Sequence, residues 1–181
     1  MGTSVPLLRE SDVVSAWLEQ AAAEPVDRWR KRPHLPRLLN CGITFDLVLT
    51  DAAAFQTTTA LLEQYEQPLG PALVLPAIGR AAVLVPQGIA DKWRALIESL
   101  TWPPAAHRPL CLGQGHTIQI PGLAAHGGVS LSRWAVAPEA SGPYPPLLTS
   151  AGALARCLME ARGPLKTELT AGPDGQTVWR H

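Results

Sequence analysis

The side chains able to do chemistry are few in this sequence, and most of them fall in short clusters. Arg28, Arg30, Lys31, Arg32 and Arg37 follow one another with His34 among them and no acid between Arg28 and Arg37. Such a cluster grips a nucleic-acid backbone or an acidic partner, with Trp29 as a stacking surface; the same pattern also suits a solvated helix face with Trp29 turned inward. If it binds nucleic acid, four or five phosphate contacts give log affinity a slope of roughly −3 to −4 against log salt. His107, Cys111, His116 and His126 carry metal-ligating atoms, but their spacing lacks the closely set Cys and His pairs of a compact zinc site, so no metal is assigned to them. Gly113-Gln114-Gly115 lacks the Lys-Ser/Thr and the following helix of a phosphate-cradling loop and reads as a turn. Neither Ser130 nor Ser132 stands in a G-x-S-x-G elbow, and no Cys/His pair has a nucleophile's local context. Trp17, Trp29, Trp93, Trp102 and Trp134 fall on apolar stripes or at element ends, as core anchors do.

These clusters sit in a chain of 181 residues with Lys+Arg 15, Asp+Glu 15, 46% hydrophobic and 17% charged residues. The zero net charge excludes a basic nucleoprotein with a global positive field, so any nucleic-acid contact must come from a local patch. The length suits one soluble globular domain that buries roughly two-thirds of the surface of its unfolded chain. No window approaches roughly 18 consecutive apolar residues, and Met1 to Glu10 show no charged segment followed by an apolar one; the expectation is a cytoplasmic protein with no membrane contact. Cys41, Cys111 and Cys157, without a CxxC, are expected as buried reduced thiols.

The elements that must position these groups follow from periodicity and breakers. Ser11-Asp12 can cap a helix carrying Val13, Val14, Trp17, Leu18 and Ala21, and a short helix runs from Pro25 to Arg32. Proline breaks follow. Ile43 to Leu49 reads as an internal strand, and Asp51 starts a helix with Phe55, Thr59, Leu62 and Tyr65 on its inner face. Ala72 to Ala77 and Ala81 to Val85 form an antiparallel hairpin about Ile78-Gly79-Arg80. A helix after Gly88 carries Ile89, Trp93, Leu96, Ile97 and Leu100 on one stripe. A second hairpin-like unit joins Leu110 to Leu112 with Thr117 to Ile120; Arg133 to Ala137 is a strand and Ser150 to Arg162 a helix. No periodic segment follows Pro164, so a mobile tail is expected there. This order predicts a single α+β domain with a mixed or antiparallel sheet covered by helices, and it disfavours a parallel Rossmann sheet. The division is 1–40 as an N-terminal helical segment packed on the core, 41–163 as the core, and 164–181 as the tail.

In that order the sequence resembles the actinobacterial proteins grouped with the N-terminal domain of bifunctional DNA primase/polymerases, the archaeo-eukaryotic primase-like fold. The resemblance covers roughly residues 10 to 162. It lies in Phe45-Asp46-Leu47-Val48 with the helix after it, in Gly70-Pro71-Ala72-Leu73-Val74 and Gly79-Arg80-Ala81-Ala82-Val83-Leu84-Val85-Pro86, and in three later segments, Pro109 to Gly115, Ile118 to Pro121 and Ser132 to Pro138. It implies template-directed nucleotidyl transfer on two Mg²⁺ or Mn²⁺ ions, with strand carboxylates holding the metals and a hairpin His touching the nucleotide phosphates. Two such ions need carboxylates that converge, as residues two apart on a strand do. Asp46 and Asp51 are instead separated by an odd interval, which puts them on opposite faces and roughly 16 Å apart at about 3.3 Å per residue. The hairpin holds Arg80 but no His, and Leu110 to Ile120 offers no carboxylate.

No catalytic residue of the family therefore carries over. The reading is a non-catalytic binding or regulatory protein, a pseudoenzyme without cofactor, whose partner is a protein, a nucleotide or single-stranded nucleic acid. One alternative is a metal-dependent nucleotidyltransferase or nucleotide-binding enzyme, using Mg²⁺ or Mn²⁺, with Asp46, Asp51 and Arg80 as its first candidates. The other is a self-associating structural protein, a homo-oligomer whose interface draws on the uncharged runs around Leu73 and Leu147.

Overall fold

The apolar residues at 72–75 and 81–85 run on without polar alternation, the pattern of strands covered on both faces. The computed structural model, which describes residues 10–102, 107–122 and 131–162, builds them into the middle of a sheet. In chain order the elements are α1 (Glu10–Gln20), α2 (Val26–Lys31), β1 (Arg37–Asn40), β2 (Asp46–Asp51), α3 (Ala52–Gln64), β3 (Ala72–Leu75), β4 (Arg80–Val85), α4 (Ala90–Glu98), β5 (Leu110–Leu112), β6 (Thr117–Ile120), β7 (Arg133–Val136) and α5 (Ala151–Ala161). A five-stranded sheet has the order β5-β2-β4-β3-β7, and β1 and β6 form a separate two-stranded ribbon. Every pairing is antiparallel. The chain is thus an α+β single domain. Among the described residues, no helix is long and apolar enough to cross a membrane.

Each face of the five-stranded sheet has its own core. Val48, Ala72, Ala81, Val83 and Val85 pack with Phe55 and Leu62 of α3, Trp93 and Ile97 of α4, and Leu154 and Leu158 of α5. The alternate residues Leu47, Leu73, Ala82 and Leu84 pack with Val14, Trp17 and Leu18 of α1, Trp29 of α2, Leu39 of β1 and Ile120 of β6. Trp17 meets Phe45 with ring centroids 5.7 Å apart, which seats α1 at the entry to β2. Fully buried side chains such as Leu18, Leu154 and Leu158 each contribute about 1.5–3 kcal/mol by leaving water.

Four local expectations need correction. Arg37–Asn40 is a strand where proline breaks were expected; it begins directly after Pro36, and its pairing with β6 is too distant in sequence to leave a local signal. Leu110–Leu112 and Thr117–Ile120 are not a hairpin, because β5 pairs with β2 while β6 pairs with β1. The turn between them hands the chain from one sheet to the other. It is anchored by the His116 amide on the Gly113 carbonyl (3.2 Å) and the Cys41 amide on the His116 carbonyl (2.9 Å). Gly42, at φ +82°, lies so close to it that a Cβ there would stand 2.4 Å from the Gln114 nitrogen. On α3 the buried polar residue is Thr58 rather than Thr59, and Tyr65 is exposed. The 3₁₀ turn Pro76–Ile78 and Gly79 at φ +61° close the expected β3–β4 hairpin. Leu73, considered as an interface residue, is fully buried inside the sheet, whereas Leu147 is 60% exposed. The expected tail at 164–181, and with it His126 and Ser130, falls outside the described residues.

Candidate functional site

Asp46 opens β2 and is buried against α4. Its Oδ2 accepts the Ala90 amide at 2.7 Å, so the carboxylate caps the start of α4 from another element. Its Oδ1 is buried and has no partner. Gly113 covers it: a Cβ at Gly113 would lie 2.6 Å from the Ala90 side chain and 3.4 Å from Oδ1, so only glycine lets the strand end close over the cap. Cys41 and Cys111 lie near this carboxylate. Burial pushes the Cys41 thiol up to about 11 and the Cys111 thiol to about 12, and the Asp46 charge raises both further. All three cysteines are free; Cys41 and Cys157 are buried, whereas Cys111, expected to be buried, is only half-buried.

Asp51 closes β2 at its other end. Its Oδ1 accepts Arg80 Nη1 at 2.6 Å, and its Oδ2 accepts Nη2 of Arg162, the residue that ends α5. Arg162 Nη1 also donates to the His107 carbonyl at 2.5 Å. Asp51 thereby ties β2, β4 and α5 into one brace. Asp46 stands opposite Val85 and Asp51 opposite Arg80, at the two ends of the β2–β4 ladder. That separation is roughly 16 Å at about 3.3 Å per residue. A paired-metal centre does not fit these acids: one is spent on a helix start, the other on two guanidinium groups, and they do not converge. Among the described residues, no three His, Cys, Asp or Glu side chains gather as a metal site. His116 Nδ1 sits 3.2 Å from the Gly113 carbonyl within its own turn. Ser132 is buried and donates to the Gln119 carbonyl.

The basic cluster divides three ways. Arg28 pairs with Glu24 at 3.4 Å, and Arg30 pairs with Glu19 through Nη2 at 3.0 Å and Nε at 3.3 Å, which raises the Arg30 pKa. Lys31 and Arg32 are exposed. Arg37 is only 6% exposed, and its guanidinium lies 5.0 Å from the centre of the Trp29 ring. Burial lowers its pKa, partly opposed by the Glu19 charge. Trp29 is 3% exposed and donates Nε1 to Glu24 at 2.9 Å, so it offers no stacking surface. That same hydrogen bond is the main reason the Glu24 carboxyl is held low, against the opposing effect of burial. Trp17, Trp93 and Trp102 are likewise buried, Trp93 donating to the Pro109 carbonyl at 2.8 Å.

Between α1 and α2 lies a cleft of about 410 Å³ lined by Asp12, Ser15, Glu19, Trp29, Arg30 and Arg37. The basic run predicts Arg37 to be one more exposed cation. The missed signal is the alternation within β1, which puts Arg37 on the same side as the fully buried Leu39. A second depression, of about 590 Å³, lies at the far end of the sheet against Arg80, Arg133 and Trp134, whose buried Nε1 has no partner.

Fold and sites together define an α+β protein on antiparallel sheets whose two β2 acids are bound internally and whose α1–α2 end holds a buried cation. No family model matches the chain, and no match is found among curated proteins or solved structures.

Proposed function

We propose that the chain is a non-catalytic binding or regulatory protein, a primase-polymerase-like relative that does not carry out nucleotidyl transfer. The observation that supports this is the placement of its β2 acids: Asp46 caps α4 through Oδ2 and keeps Oδ1 buried, Asp51 spends both oxygens bracing β4 and α5, and the two sit at opposite ends of the strand, so they do not converge on a paired-metal reaction. Arg80, the residue best placed in the hairpin to meet a nucleotide phosphate, is held by Asp51 at 2.6 Å. Ligand contact then falls to the α1–α2 end. The test is primer extension by the purified chain with primed template, dNTPs and Mn²⁺. No product is expected, and robust template-dependent extension refutes the proposal.

A further inference from the structure

We propose that the α1–α2 cleft is an anion-binding site anchored by Arg37, and that its ligand is a small molecule bearing a phosphate or carboxylate group. The inference goes beyond the binding role proposed above and does not depend on it, since a chain active in primer extension would hold the same cleft.

A guanidinium withdrawn from water is normally matched by an anion, because its desolvation is otherwise uncompensated. Arg37 is 6% exposed, its buried Nε has no hydrogen-bond partner, and no ion pair among the described residues reaches it. The Trp29 ring beneath it offsets part of that cost. What the group lacks is an oxyanion, and its planar fork matches a carboxylate or phosphate by two parallel hydrogen bonds. The cleft supplies the rest of a site. Ser15 offers a hydroxyl, Trp29 and Pro33 apolar wall, and Arg30 a second cation at the rim. Arg30 is held by Glu19 in a pair whose side chains are 67% and 24% exposed, weak enough to exchange for a ligand. The volume of about 410 Å³ is that of a small-molecule site. A long polyanion fits poorly, because the anchor is recessed and Asp12 and Glu19 balance the two arginines. Glu19 is the internal competitor: its charge already acts on Arg37.

The experiment is calorimetric titration and thermal melting of the full chain with millimolar inorganic phosphate, phenyl phosphate and benzoate, at constant ionic strength against chloride. Saturable binding of at least one probe is expected, and the phosphate pair against benzoate tells which head group is preferred. Arg37→Lys keeps the charge but loses the fork and is expected to weaken binding about tenfold. Glu19→Gln removes the competitor and strengthens binding, by about threefold for a partly exposed carboxylate. Lys31→Gln, on the outer face, changes nothing. Absence of saturable binding by all three probes, equal affinity in Arg37→Lys, or a loss in Lys31→Gln as large as in Arg37→Lys each overturns the site. Arg37→Gln is expected to abolish binding; should it fail to fold, Arg37→Lys and Glu19→Gln decide.

Discussion

Replacing Asp51 by Ala tests directly whether this acid is a brace or a ligand. The change strips both anchors from Arg162 and Arg80 at once. Arg162 has a side chain only 11% exposed and a buried Nε without a partner, so it cannot simply turn to water. Breaking a fully buried pair costs about 3–5 kcal/mol, and an exposed one about 0–1 kcal/mol. Asp51 and Arg80 are each 38% exposed, which places the loss between these limits, at about 2 kcal/mol. For a chain of this size that is a fall in Tm of about 4–8 °C. Arg80→Gln alone should cost under about 1 kcal/mol, because only the more exposed arm is cut. Urea unfolding of Asp51→Ala, Arg162→Gln and the double variant completes the cycle. The double variant should be less destabilised than the sum, with a coupling of about 1–2 kcal/mol. If Asp51→Ala lies within about 0.5 kcal/mol of the parent chain while abolishing a Mn²⁺-dependent rise in Tm, the brace reading is refuted.

Asp46→Ala removes the cross-element cap on α4 and is expected to cost about 1–2 kcal/mol in urea unfolding, with Asp46→Asn losing less because an acceptor for the Ala90 amide remains. The Cys41 and Cys111 thiols, raised to about 11 and about 12, stay protonated in the folded chain while the unfolded chain ionises near about 8.5. Their contribution to stability is therefore intact below about pH 8.5 and is lost as pH rises toward 11–12, by at most about 1.4 kcal/mol per pH unit for each thiol, and the Cys41→Ala/Cys111→Ala variant should flatten that slope. Binding of single-stranded nucleic acid, if measured, should show a log–log salt slope no steeper than about −1.4, since Lys31 and Arg32 are the cluster's cations outside ion pairs and the core; a slope near −3 would show that the Arg28 and Arg30 pairs open on binding.

Much of this arrangement was legible in residue order. The odd spacing of Asp46 and Asp51 already separated them, and the stripe Trp93, Ile97 located α4 because a helix that buries one face writes that face at regular intervals. What escaped were facts decided at long range. β1 is four residues between prolines and a glycine turn, and its strand character comes from β6, some eighty positions later. Arg37 looked like one more member of a basic run, yet its place in that strand carries it under the surface while its neighbours stay outside. The roles of Asp51 and Arg162 are invisible for the same reason: they meet across 111 positions of chain.

The turn Gly113–His116, which carries the chain directly from β5 to β6, leaves no slack between the two sheets. Neither can slide or peel away without dragging the other, so melting should register as one transition rather than two. Arg37, which anchors the α1–α2 cleft from the two-stranded ribbon, is therefore tied through this turn to the larger sheet, and the cleft is expected to keep its shape before anything enters it.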